Sequence, residues 1–141
     1  MNILVLNCIT NFMSDTSDSE EFEELFLSYR DYLNERLEAF SSCGTVKRIY
    51  VQFQYDCSGL PSAASSLKVG KYSHTNQHIE AYLPVTASDF SGVDELSRRK
   101  LIGYELVRAL KVIAARLAGT IENNIDKLIT EVEAANEDLM S

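Results

Sequence analysis

Residues 46–57 read VKRIYVQFQYDC, and this stretch indicates the fold more clearly than any other part of the chain. Apolar and polar side chains alternate strictly along it. Because successive side chains of a β-strand point to opposite faces of a sheet, the alternation predicts a strand with one buried and one exposed face. The buried set is expected to be Ile49, Val51, Phe53, Tyr55 and Cys57, and the exposed set Arg48, Tyr50, Gln52, Gln54 and Asp56.

Three further strands are expected around this one. Residues 3–9 are nearly all apolar and often branched, which predicts a short strand buried on both faces inside the sheet. A weaker strand is expected at about 66–72, and alternation over 79–85 predicts another after a polar turn. These two strands and 46–57 are expected to form an antiparallel meander. Pro84 lacks a backbone donor, which predicts that its strand is short or lies at an edge.

Three stretches repeat apolar residues at spacings of three and four, which predicts amphipathic helices. The first runs from about 19 to 41, the second from Asp94 to Ala118, and the third from about 123 to 137. Gly119 is expected to end the second helix, because glycine accepts the backbone conformation that follows a helix terminus.

The chain of 141 residues has the length of one domain and an ordinary globular composition, with 45% apolar residues, two prolines and six glycines. We therefore predict a single α+β domain over residues 1–141 with the element order β-α-β-β-β-α-α. Its sheet is expected to be four-stranded, antiparallel or mixed, with helices packed on one face.

The formal net charge of -8 opposes contact with nucleic-acid phosphates or an anionic membrane, so neither partner is expected. Three cysteines form an odd set without a C-x-x-C pair, which favours free thiols in a reducing, cytoplasmic compartment. The apolar start of the chain has no basic segment before it and is too short for a membrane span, so no export signal is predicted.

Residues that could carry catalysis are few. The two histidines, His74 and His78, are predicted on a turn and a strand, and adding Cys57 or Glu80 makes only a weak metal-binding set. The sequence contains no nucleophile elbow, no GxxxxGK[ST] phosphate loop and no GxGxxG turn. No catalytic residue, metal or cofactor is therefore predicted.

The exposed face of the predicted sheet combines tyrosines with polar side chains. Tyrosine offers a large contact area and a hydroxyl at a small entropic cost, so such faces recur in protein recognition. A plain solvated sheet face is the alternative, because tyrosine and glutamine are tolerated there. The candidate partner-binding residues on this face are Tyr50, Gln52, Gln54, Tyr72, His78, Glu80 and Tyr82.

Acidic residues concentrate at both ends of the chain, and residues 1–40 hold nine acids against two bases. Solvated helix faces would explain this distribution. A negative surface for a basic partner is the alternative, because charge of one sign accelerates encounter with the other. Its candidate residues are Asp15, Asp18, Glu20, Glu21, Glu23 and Glu24.

Phe90, the segment DELSRRKLIGYEL at 94–106 and the alternating strand around Tyr50 together resemble small bacterial immunity proteins that neutralise polymorphic toxins. The resemblance covers about the second half of the chain. It implies a cytosolic, non-catalytic protein that binds and blocks a cognate toxin domain. An acidic inhibitor would suit a toxin whose active-site cleft is basic.

Two other functions remain open from the sequence. A small enzyme or ligand-binding module would show a pocket between sheet and helices. A homo-oligomeric adaptor would show a large apolar patch that matches itself across a two-fold axis. The sequence is compatible with a monomer or a homodimer.

Overall fold

The computed structural model describes residues 3–10, 16–40, 43–56, 67–86, 90 and 93–140. Within these ranges the chain forms a four-stranded mixed sheet and three helices in one α+β arrangement, which confirms the predicted fold class and element order. The elements are β1 (Leu4–Thr10), α1 (Thr16–Arg36), β2 (Arg48–Asp56), β3 (Lys68–Val69), β4 (His78–Thr86), α2 (Glu95–Leu117) and α3 (Ile125–Met140).

The strands lie in the order β1-β2-β4-β3. β1 pairs with β2 in parallel, β2 pairs with β4 in parallel, and β3 pairs with β4 in antiparallel orientation. The predicted antiparallel meander is therefore wrong. β3 pairs with the edge of β4 that faces away from β2, so it does not lie between β2 and β4. The chain between β2 and β4 therefore crosses over, and β4 runs in the same direction as β2.

Two expectations about position in the sheet are also wrong. β1 is an edge strand whose outward-facing Ile9 is 52% exposed, so it is not buried on both faces. β4 is nine residues long and lies between β2 and β3, so Pro84 does not mark a short or edge strand. Pro84 is tolerated because the described β3 residues pair only with Ala81 and Tyr82, so this ladder ends before the proline.

The helices cover one face of the sheet, as predicted. α1 forms the crossover between the parallel strands β1 and β2, and aromatic rings fill the space beneath it. The Phe22 ring stacks on Tyr55 at 4.5 Å, and Phe26 packs on Phe53 at 5.1 Å. These large apolar contacts fix α1 on the sheet and place its first turns at the carboxyl end of β1.

α2 and α3 form a helix pair that completes the core. Asp94 caps α2 by accepting a 2.7 Å hydrogen bond from the Ser97 amide. α2 then ends at Leu117, before Gly119 with its positive φ of 78°, close to the predicted end. α3 packs mainly on α2 and α1. None of the helices in the described ranges is long and apolar enough to cross a membrane.

Candidate partner-binding surfaces

The sheet face away from the helices is open, and its side chains form rows across the strands. One row runs in strand register from Asn7 of β1 through Gln52 of β2 and Tyr82 of β4 to Lys68 of β3. This alternation follows from β2, where every second residue is buried at or below 1% exposure. The residues of the open face are Val5, Asn7, Ile9, Arg48, Tyr50, Gln52, Gln54, Lys68, His78, Glu80, Tyr82 and Pro84.

Several of these side chains are ordered by contacts with each other. The Tyr82 hydroxyl donates a 3.0 Å hydrogen bond to the Glu80 carboxylate, which raises the pKa of Tyr82 and keeps its hydroxyl protonated. The Tyr50 ring meets the His78 ring edge-on, with centroids 5.3 Å apart. A partner that binds here meets side chains whose rotamers are already restricted, which lowers the entropic cost of association.

Tyr72 lies elsewhere. It follows β3, and its hydroxyl donates a 3.3 Å hydrogen bond to the carbonyl of Thr45. Its ring meets His74 edge-on and lines a cleft with Thr120 and Ile121 from the α2–α3 connection. The structure therefore brings six of the seven predicted sheet-face residues together and separates Tyr72 from them.

The acidic residues of α1 lie on the other side of the sheet. Glu20, Glu21, Glu23 and Glu24 are all exposed, but they point in different directions around the helix. Asp18 belongs to the first turn of α1, and Asp15 lies outside the described residues. The predicted negative surface is therefore a band around the start of α1 and does not form one flat patch with the sheet face.

Glu21 has an intramolecular partner. Its carboxylate forms a 2.7 Å ion pair with Arg98, whose guanidinium also donates to the Phe90 carbonyl and lies 5.0 Å from the Phe90 ring. Asp94, four residues before Arg98, instead caps α2. Because Arg98 neutralises it, the negative charge of Glu21 contributes less to attracting a partner.

Glu23 lies on the side of α1 that faces β1. Its charge is close enough to Cys8 of β1 to help raise the pKa of that thiol, after the larger effect of burial. Because α1 starts at the carboxyl end of β1, its first acidic turns lie at the same end of the sheet as Ile9 and Gln54. The acidic band and the open face are therefore adjacent at this end of the sheet.

Sequence reasoning missed Asn7 and Ile9 as members of the open face. Both were assigned to a strand buried on both sides, since apolar residues surround them. The polar Asn7, two residues before Ile9, was the available signal, because β-strand residues two apart share a face.

A groove of about 820 Å³ lies between α2 and the C-terminal half of α3. It is not the pocket between sheet and helices that a ligand-binding module would need, because it opens on the outer side of the helix pair. Asn136 is 3% exposed and lines this groove, and its Nδ2 has no hydrogen-bond partner among the described residues. The Oδ1 of Asn136 accepts a 2.6 Å hydrogen bond from the Tyr29 hydroxyl.

The two thiols that the structure describes are poorly suited to nucleophilic chemistry, and Cys57 lies outside the described residues. Burial raises the pKa of both Cys8 and Cys43 from 9.0 to about 11, so each is a neutral thiol near pH 7. In the part of the chain that the structure describes, no three or more histidine, cysteine or acidic side chains converge as a metal site would require.

The fold and these surfaces define a class: a small α+β protein that presents an ordered, tyrosine-bearing sheet face and an acidic helix start. The family model Immunity protein 44 matches residues 4–138. The chain therefore belongs to the Immunity protein 44 family, which confirms the resemblance and extends it from the second half to almost the whole chain. Neither the curated proteins nor the solved structures give a match.

Proposed function

We propose that this protein binds a cognate bacterial toxin domain in the cytoplasm and blocks it without catalysing a reaction of its own. Membership of an immunity protein family across residues 4–138 is the observation that carries this proposal. The raised pKa values of Cys8 and Cys43, among the described residues, support the non-catalytic part, because their thiolates would be scarce at neutral pH.

The open face of the sheet is the proposed contact surface for the toxin. Tyr50 and Tyr82 are half-buried there, and each is positioned by a neighbouring side chain. Tyrosines of this kind are the residues that most often contribute a large share of binding energy at protein interfaces. Ile9 adds an exposed apolar side chain at the β1 edge of the same face.

The acidic start of α1 is proposed to assist encounter with a basic toxin cleft. Glu20, Glu23 and Glu24 are exposed, and no ion pair of theirs is found within the described residues. Charges at the rim of an interface act mainly on the association rate and its dependence on salt, and less on the final affinity.

Gene neighbourhood provides the toxin for a direct test, since an immunity gene is expected beside the gene for its toxin. The purified toxin domain would be titrated with this protein by calorimetry, and toxin activity would be measured in parallel. Tyr82→Ala is expected to weaken binding by about ten- to a hundredfold, as for a central interface tyrosine. Leu96→Ala is the control, because Leu96 is a 44% exposed apolar residue of α2, away from the open face and outside the groove between α2 and α3.

Three outcomes separate the parts of the proposal. Absence of binding by the unaltered protein to the neighbouring toxin would refute the function. Binding that Tyr82→Ala leaves unchanged would refute the open face as the interface. Replacing Glu20, Glu23 and Glu24 by glutamine should slow association and flatten its salt dependence, and an unchanged rate would refute the electrostatic role.

A further inference from the structure

The outer side of α2 carries a row of exposed side chains that core packing does not explain. Tyr104, Arg108, Val112 and Ala115 are spaced by four, four and three residues, so they form one stripe along the helix. Tyr104 is 61% exposed and Val112 is 37% exposed, although both are large apolar side chains. We name these four residues the α2 stripe.

The groove between α2 and α3 runs directly beside the α2 stripe. Its walls also include Val107 and Met140, so apolar side chains contribute much of its surface. Asn136 also lines the groove, although only 3% of it is exposed. A ridge and a neighbouring groove that run along the same helix pair form a surface that can match itself across a two-fold axis, as an isologous dimer requires.

The charges that line the groove indicate which kind of partner would bind there. The α2 wall carries Lys100, Arg108 and Lys111, of which Arg108 is also held by Glu105 on its own helix. The α3 wall carries Glu133 and Glu137. A two-fold axis parallel to the helices places the basic α2 of one copy beside the acidic α3 of the other, so the charges of two identical copies attract each other.

We infer that the α2–α3 groove binds a second copy of this chain, with the α2 stripe of each protomer seated in the groove of its partner. Tyr104 is the anchor of this interface, because it is the most exposed large side chain of the α2 stripe. The open sheet faces of both protomers then point away from the dimer interface. This inference does not depend on the toxin.

The oligomeric state of the purified full chain tests the inference. Sedimentation equilibrium over a wide concentration range is expected to give twice the chain mass at the upper end. Tyr104→Arg should weaken dimerisation by about a hundredfold, because it places a charge at both anchor positions of the symmetric interface. Leu96→Arg is the matched control, since Leu96 is a 44% exposed apolar residue of the same helix outside the groove. Circular dichroism checks that each variant is folded.

A charge exchange makes the test specific to the proposed geometry. Lys111→Glu alone and Glu133→Lys alone should each weaken dimerisation by about tenfold, because each change affects two equivalent sites. The double variant should restore it. A monomer at all concentrations would overturn the inference, as would a dimer that Tyr104→Arg leaves intact or single reversals that the double variant does not rescue.

Discussion

Gly103→Ala is a substitution for which the structure reverses the sign expected from the sequence. Gly103 lies inside α2, and replacing an interior helical glycine by alanine normally stabilises a protein by about 1 kcal/mol. In this fold a Cβ at position 103 would lie 2.9 Å from Nδ2 and 3.0 Å from Cγ of Asn136. These distances are shorter than van der Waals contact, so one of the two residues must move.

Asn136 has little freedom to move. It is 3% exposed, and its Oδ1 accepts the 2.6 Å hydrogen bond from Tyr29. Overpacking a core costs about 1–3 kcal/mol, and leaving the buried Tyr29 hydroxyl unpaired costs about 1–3 kcal/mol more if the amide swings away. Against the gain of about 1 kcal/mol in helix propensity, we expect Gly103→Ala to destabilise the protein by about 1–3 kcal/mol.

Urea unfolding followed by circular dichroism at the helical band measures this change. The control is Gly103→Ala in an Asn136→Ala background, where the added methyl has space and propensity should dominate. There it should stabilise by about 1 kcal/mol relative to Asn136→Ala alone. If Gly103→Ala stabilised both backgrounds equally, the close contact with Asn136 would have no energetic consequence and the reasoning would be refuted.

Three further predictions follow from local geometry. Gly44 has a φ of +63°, and a Cβ there would lie 2.9 Å from backbone atoms just before α3, so Gly44→Ala should cost about 3 kcal/mol or more in urea unfolding. Gly119→Ala should cost only about 1 kcal/mol, because Gly119 has a φ of +78° but open space around it, and equal losses would contradict this account. Arg98→Ala should lower the free energy of unfolding by about 1–2 kcal/mol, because it removes the ion pair with Glu21 of α1 and the hydrogen bond to the Phe90 carbonyl. Arg99→Ala breaks only an exposed i,i+4 pair and should change that free energy by less than about 0.5 kcal/mol. The reverse ranking would disprove the assignment. Burial raises the pKa of the Cys8 thiol from 9.0 to about 11 in the folded state, so its contribution to stability is fully present below about pH 9 and is lost as the pH rises through about 11. The urea midpoint of the unaltered protein should therefore fall more steeply above pH 9 than that of Cys8→Ala, and parallel curves would count against the effect.

The local elements were predictable because their signals are local. The alternation in β2 identified the buried side chains Ile49, Val51, Phe53 and Tyr55, and each is at most 1% exposed. The helical period placed α2 and α3 within a few residues of their observed ends. α1 is less accurate, since it spans Thr16–Arg36 and the prediction was about 19–41. Its apolar period continues through Leu37 and Phe40, which pack on the core after the helix has ended.

The candidate surface was predictable in composition but not in arrangement. The side-chain alternation of β2 and β4 was sufficient to place Tyr50, Gln52 and Tyr82 on one exposed face. The addition of Asn7 and Ile9, and the departure of Tyr72, depend on where β1 and β3 sit in the sheet. The groove beside Tyr104 depends on the packing of two helices that are separate segments of the sequence.

Hydrophobic periodicity acts within a single element, so the sequence was sufficient to predict most strands and helices and the buried faces of β2, β4 and the helices, although not the exposed face of β1. The strand order, the parallel pairing of β2 with β4 and the surfaces formed by separate segments depend on how the elements pack together. Backbone hydrogen bonds between strands are almost independent of side-chain identity, so an alternating strand can pair with a parallel or an antiparallel neighbour. The path of the connections and the packing of the helices on the sheet make that choice.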